Sequence, residues 1–163
     1  MTAVRREDLV QEMQPLDDLD RTLVRLLAED AARSNKTLAR AAGVAESTCL
    51  NRIRALRRRG VITGVRAEIA PEQLGLGVVA MVFVRFHAQQ RTQFAQWRRE
   101  ISALPGVIAG YHLSGAYDYL VHVATESPDA LRDFVLDHLS HRPGVARVET
   151  SLVFDTVRGP GLV

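Results

Sequence analysis

The sequence has few of the residues that staple small proteins or anchor them to membranes. Cys49 is its single cysteine, which excludes an intramolecular disulfide and a cysteine-rich metal site. The longest apolar run, Leu76 to Val84, ends at Arg85, far short of the roughly 18 residues a membrane-spanning helix needs. The opening stretch, MTAVRREDLVQEMQ, mixes acids with bases and has no signal-peptide core. Lysine is almost missing as well, Lys36 being the only one among 21 basic residues. There is no nucleophile elbow, phosphate-binding glycine loop or HExxH zinc motif. The histidines (His87, His112, His122, His138, His141) are scattered, and the His138/His141 pair has no second pair at ligand spacing. His112 and Asp118 flank one turn, a weak catalytic signal. These absences lead us to expect a cytoplasmic protein with no membrane segment, no metal and no cofactor, and one that is not an enzyme.

What the chain does have is a sharp segregation of charge. Between Ala31 and Gly64 eight basic residues face one acid, Glu46, giving +7, while the whole chain is only +2. A basic segment of this kind makes nucleic acid the first partner to consider. With 163 residues, 47% of them hydrophobic, the chain can bury a core in one domain or two small ones.

The two halves follow different periodicities. Leu16, Leu19, Leu23, Leu26 and Leu27 recur at helical spacing, with Asp17 and Asp18 at the start, where the helix dipole favours acids. Leu38, Ala41 and Ala42 mark a second short helix, stopped by Gly43. Cys49, Leu50, Ile53 and Leu56 mark a third, ended by Gly60, and Val61 to Ile69 then reads as a small β-wing. Two helices joined by a glycine turn are the parts of a helix-turn-helix, whose second helix can enter a DNA major groove.

After Pro71 the pattern becomes βαββαβ, the split βαβ or ferredoxin-like order. Val78 to His87 is a buried strand and Phe94, Trp97, Ile101 and Leu104 fit a helix. Val107 to Leu113 and Tyr117 to Thr125 are strands around a Ser114-Gly115-Ala116 turn. Ser127-Pro128 opens a helix carrying Leu131, Phe134, Val135 and Leu139, and Val145 to Val157 is the last strand. Pro105-Gly106-Val107 and Pro143-Gly144-Val145 stand at equivalent places in the two halves. Because the first strand is apolar on both sides, the sheet face without helices is expected to be covered by a second copy of the chain.

With Cys49, Leu50, Ile53 and Leu56 turned inward, Ser47, Thr48, Asn51, Ala55 and Arg58 point outward, and Arg52 and Arg54 lie on the flanks. Small hydroxyls, an amide and guanidinium groups suit base edges and phosphates. A merely solvated basic helix is the bland alternative. Arg57, Arg58 and Arg59 would grip phosphates without sequence preference. Cys49 reads as core rather than as a reactive thiol. The hairpin from Leu113 to Tyr119 has two readings. Gly115 could expose backbone N–H groups to a carboxylate while Asp118 takes an ammonium, as a free amino acid would require. Alternatively it is a tight turn with Asp118 bonded to its own backbone.

Four stretches resemble the Lrp/AsnC family, the leucine-responsive or feast/famine transcription regulators: LDDLDRTLVRLLAEDAARS, LARAAGVAESTCLNRIRALRRRGVITG, LSGAYDYLVHV and RPGVARVETSLVF. They span nearly the whole chain in the family's order. The resemblance implies an α+β protein, a winged helix-turn-helix followed by a ferredoxin-like βαββαβ sandwich. The expected divisions are a tail at 1–15, the DNA-binding domain at 16–64, a wing strand and linker at 65–77, an effector-binding and oligomerisation domain at 78–157, and a tail at 158–163. It further implies sequence-specific binding to double-stranded promoter DNA, homodimers that assemble to octamers, and an amino-acid effector. The DNA-reading unit falls on Asn35 to Arg54, with Asn35, Lys36, Ser47, Thr48, Asn51, Arg52 and Arg54, joined by Arg58 and Arg59. The effector region falls on His112, Ser114, Gly115, Ala116, Tyr117 and Asp118, with Ser151 on the last strand. Two positions depart from the pattern. Ala45 stands where serine usually caps the recognition helix, so Glu46 or Ser47 is expected to cap it and shift its start. Ala116 stands at a turn position that is often polar. The rival readings are a ferredoxin-like sensor or enzyme subunit without specific DNA binding, and a non-specific DNA packager.

Overall fold

The computed structural model describes residues 15–87, 94–157 and Gly159. They fall into two compact units that divide between Ala67 and Glu68. The expected tails at 1–15 and 158–163 lie, except for Pro15 and Gly159, outside the described residues.

The first unit consists of α1 (Asp18–Glu29), α2 (Asn35–Ala41) and α3 (Glu46–Arg58). Two of the three helices begin on a side-chain cap: Asp17 accepts the Asp20 N–H at 2.7 Å, and Ser34 accepts that of Thr37 at 3.1 Å. Each cap satisfies a backbone donor that the helix leaves unpaired. Helix α3 begins at Glu46 with Ala45 in the cap position and no side-chain bond, so the expected shift of its start to a new cap does not occur. Between α2 and α3 the chain turns at Gly43, whose φ of 68° lies where a side chain is disfavoured. Leu23, Leu26, Leu38, Ala39, Cys49, Ile53 and Leu56 form the core. Leu50, expected inward, is 38% exposed. It lies at the edge of the α3 stripe, beyond the reach of so small a core.

The expected β-wing is absent. Residues 65–70 carry neither helix nor strand, and the sheet of the second unit is the only one among the described residues. A wing needs two paired strands, whereas Val65 and Ile69 are more than half exposed. Only Ile62 from this stretch packs on the three-helix core.

The second unit is built from β1 (Val78–Phe86), α4 (Phe94–Ile101), β2 (Val107–His112), β3 (Tyr119–Thr125), α5 (Pro128–Val135) and β4 (Val145–Leu152). A short 3-10 turn, Pro71–Leu74, precedes β1, and a π-helical turn, Leu136–Ser140, extends α5. The sheet is antiparallel in the order β2-β3-β1-β4, the ferredoxin-like topology expected from the pattern. The repeated Pro-Gly pairs have a common use. The carbonyl of Gly106 accepts the N–H of Ala124 at 2.8 Å, and that of Gly144 accepts the N–H of His87 at 2.9 Å. A Cβ on Gly106 would meet the Ala124 carbonyl oxygen at 2.5 Å, so that turn requires glycine.

One face of the sheet is buried beneath the helices, through Ala80, Val82, Val84 and Phe86 of β1 and Tyr119, Val121 and Val123 of β3, packed with Trp97, Ile101, Leu131 and Leu139. The alternation of strand side chains sends Val79, Met81 and Phe83 to the other face, with Leu120 and His122, all partly exposed, and Tyr111, 51% exposed. This face is largely apolar and no helix among the described residues of the unit covers it.

Candidate nucleic-acid interface and hairpin site

Helix α3 presents two chemically distinct sides. Cys49, Ile53 and Leu56 are buried, whereas Ser47, Thr48, Asn51, Arg54 and Arg58 are exposed. Burial pushes the Cys49 thiol above its ordinary value, consistent with a core residue rather than a nucleophile. The exposed row runs hydroxyl, hydroxyl, amide, guanidinium, guanidinium along one helix face, a set of donors and acceptors fit for base edges and phosphates. Lys36 and Arg40 are exposed on α2.

Three residues assigned to this surface are otherwise engaged. The Asn35 side-chain amide donates to the Glu46 carbonyl at 2.9 Å and so ties the start of α2 to the start of α3. Arg52 is turned toward the start of α1: its Nη1 lies 2.6 Å from Asp17 Oδ2 and 3.4 Å from Asp20 Oδ1. Arg59 bonds Asp20 Oδ2 at 3.1 Å. Seven residues apart, Arg52 and Arg59 lie on one flank of α3, and that flank meets the acidic start of α1. The Asp17 carboxyl is held below its usual range, first by the Asp20 N–H and also by Arg52. Its bond to Asp17 raises the Arg52 guanidinium. The sequence reading missed Asp17 and Asp20 as partners. The available signal was two acids three residues apart at the start of one helix, and two arginines seven apart at the middle and end of another.

In the second unit the hairpin between β2 and β3 holds His112 to Asp118. Ser114, Gly115 and Ala116 are exposed at its tip. The His112 ring stacks on Tyr119, centroids 4.8 Å apart at 20°, and Tyr119 packs on Trp97 at 4.3 Å. Tyr117 donates its hydroxyl to the Glu149 carboxylate, which also pairs with Arg147 at 3.1 Å. The bond to Glu149, and then burial, push the Tyr117 phenol up. Asp118 is only 9% exposed, and its Oδ2 accepts the backbone N–H of Phe86 at 2.8 Å. That oxygen continues the β3 ladder onto β1 where the β1–β4 register shifts at Arg85/Phe86, so its first role is to hold the hairpin. Ser151 pairs with Met81, whereas Tyr119 at the hairpin base pairs with Val84. Three residues of strand separate them, about 10 Å, so one chain does not bring Ser151 to the hairpin. No group of three or more His, Cys, Asp or Glu able to hold a metal occurs among the described residues, and no helix among them is long and apolar enough to cross a membrane.

Comparison with known proteins meets this geometry at both ends. Residues 16–57 match the AsnC-type helix-turn-helix domain and residues 79–162 the Lrp/AsnC ligand binding domain. The chain belongs to the Lrp/AsnC family. It is 38% identical over 144 residues to the HTH-type transcriptional regulator AldR of Mycolicibacterium smegmatis, covering 88% of this chain and 84% of that one. It is 30% identical over 141 residues to the transcriptional regulator AzlB of Bacillus subtilis, covering 86% and 90%. Among solved structures it is similar to a Neisseria meningitidis transcriptional regulator crystallised with L-methionine, with a TM-score of 0.79 and 27% identity over 89% of this chain and 94% of that one. As a member of the Lrp/AsnC family it is a DNA-binding transcription regulator, and its relatives are regulators rather than enzymes.

Proposed function

We propose that the protein recognises promoter DNA through Ser47, Thr48, Asn51 and Arg54 of α3, with Arg58 on phosphates. It does so as a cytoplasmic homodimer joined through the uncovered sheet face, with the octamer as the higher assembly. The observation that carries this reading is the division of α3 into a buried apolar stripe and an exposed row of base-reading side chains. The partly exposed apolar row of Val79, Met81, Phe83 and Leu120 supports the dimer, because a face of this kind is stabilised by burial against its own copy.

The effector is an amino acid or a close relative, bound at the His112–Asp118 hairpin. Exposed backbone at Ser114, Gly115 and Ala116 receives its carboxylate, with His112 and Tyr117 alongside and Asp118 holding the loop in shape. Support comes from the ligand-binding-domain match and from the L-methionine complex of the Neisseria relative. Genomic fragments captured by the full-length protein would be compared with random duplexes across a salt series, with and without pooled amino acids. A fragment bound at least tenfold tighter than random DNA is expected. Equal binding to all duplexes would indicate a packager, and no binding at any salt would indicate a sensor.

A further inference from the structure

The start of α1 carries acids that face the arginines on the flank of α3. Asp17 and Asp20 place two carboxylates around the Arg52 guanidinium, at 2.6 Å and 3.4 Å, and the second also takes Arg59. The Asp20 side chain is 3% exposed, whereas that of Arg52 is 42% exposed. The cation therefore stands at the surface of the DNA-reading unit with its charge already answered. A surface ion pair would ordinarily be loose, but Asp20 is out of water. Moving Arg52 onto a phosphate would break its 2.6 Å bond to Asp17 and reduce the pairing of the buried Asp20 carboxylate to Arg59, a cost that holds it in place.

We propose that Asp17 and Asp20 are built-in counter-ions that keep Arg52 off the DNA backbone, so that the α1 acids help set how strongly the protein prefers its operator over random DNA. The inference rests on α3 being the DNA-reading helix. Non-specific affinity grows with each phosphate a free cation neutralises, whereas specific affinity depends on base contacts from a correctly seated helix. Holding Arg52 against α1 serves both ends: it removes one indiscriminate contact and fixes the middle of α3 in place. Asp17 and Asp20 are thus positioning residues, acting through Arg52.

The test uses the full-length protein and measures binding to a captured operator and to random duplexes from low to high salt. In the double variant Asp17→Asn, Asp20→Asn, asparagine still caps α1 while both charges are lost. It is expected to bind random DNA several-fold tighter at low salt and to lose operator preference. Its log-affinity against log-salt slope is expected to steepen by about 0.9 for the phosphate contact of Arg52, and by up to the same again for Arg59, which loses Asp20 as well. Adding Arg52→Gln to the double variant should take back about 0.9 of that steepening, the share that belongs to Arg52. A charge-matched control, Asp18→Asn with Glu72→Gln, removes two exposed acids and should leave slope and preference unchanged. A double variant with the wild-type slope, or a control that shifts as far, would overturn the proposal. Should the double variant fail to fold, Arg52→Gln alone decides: an unchanged slope on random DNA supports the lock, and a flattened slope refutes it. A wild-type protein without operator preference would instead count against the promoter-binding reading, with the slopes still testing the lock.

Discussion

The carboxylate of Asp118 accepts the backbone N–H of Phe86 at 2.8 Å, across 32 residues of sequence. An acid in a hairpin suggests a ligand contact, yet here it closes a backbone position that the ladder leaves open. Asp118→Ala would orphan a buried donor, which typically costs about 1–3 kcal/mol. Urea unfolding should show that loss, with Asp118→Asn losing less because its amide oxygen still accepts. An alanine variant as stable as wild type would show that the bond contributes nothing.

Asn51→Ala should weaken operator binding by about 1–3 kcal/mol and relax preference at the bases it touches. Arg58→Ala should weaken operator and random DNA alike and flatten the salt slope by about 0.9. If Asn51→Ala retains full operator affinity in fluorescence anisotropy, a different face of the unit reads the bases.

Ala45 has the backbone angles of a helix cap, φ −66° and ψ 148°, but no oxygen to offer. Ala45→Ser should therefore stabilise the first unit by about 1 kcal/mol, the usual worth of an N-cap side chain. A thermal melt of full-length protein with no rise in midpoint would contradict this.

Burial holds the His122 imidazole below its ordinary value. It lies on the uncovered sheet face between Met81 and Ala109, with Arg85, Arg147 and Glu149 as the charged side chains further along that face. An unfolded histidine takes up its proton near pH 6.5, before the folded one does. Stability is thus fully present above about pH 6.5 and falls as pH drops through the window down to the lowered value. His122→Gln should remove that acid-side loss. Melting curves at pH 7.5 and 5.5 that show the same drop for both proteins would rule it out.

Local pattern was enough to determine the helices, the four strands of the sheet and their order along the chain. The 3.6-residue stripes of Leu23 and Leu26 and of Ile53 and Leu56, the cap at Ser127, and the two Pro-Gly stops each act within a few residues. Such information lies along the chain, so reading along the chain recovers it. The exposed side of α3 followed from the same periodicity. Tertiary structure alone decided what crosses between elements. Arg52 could be assigned to DNA from its place on the helix flank, and only the packing of α1 against α3 brought Asp17 and Asp20 to it. Asp118 had two plausible partners until β1 lay beside β3 and put the Phe86 N–H in reach. The wing failed for a related reason: Val61 to Ile69 has the residue types of a strand, but a strand exists only where a second one pairs with it, and none does within the described chain.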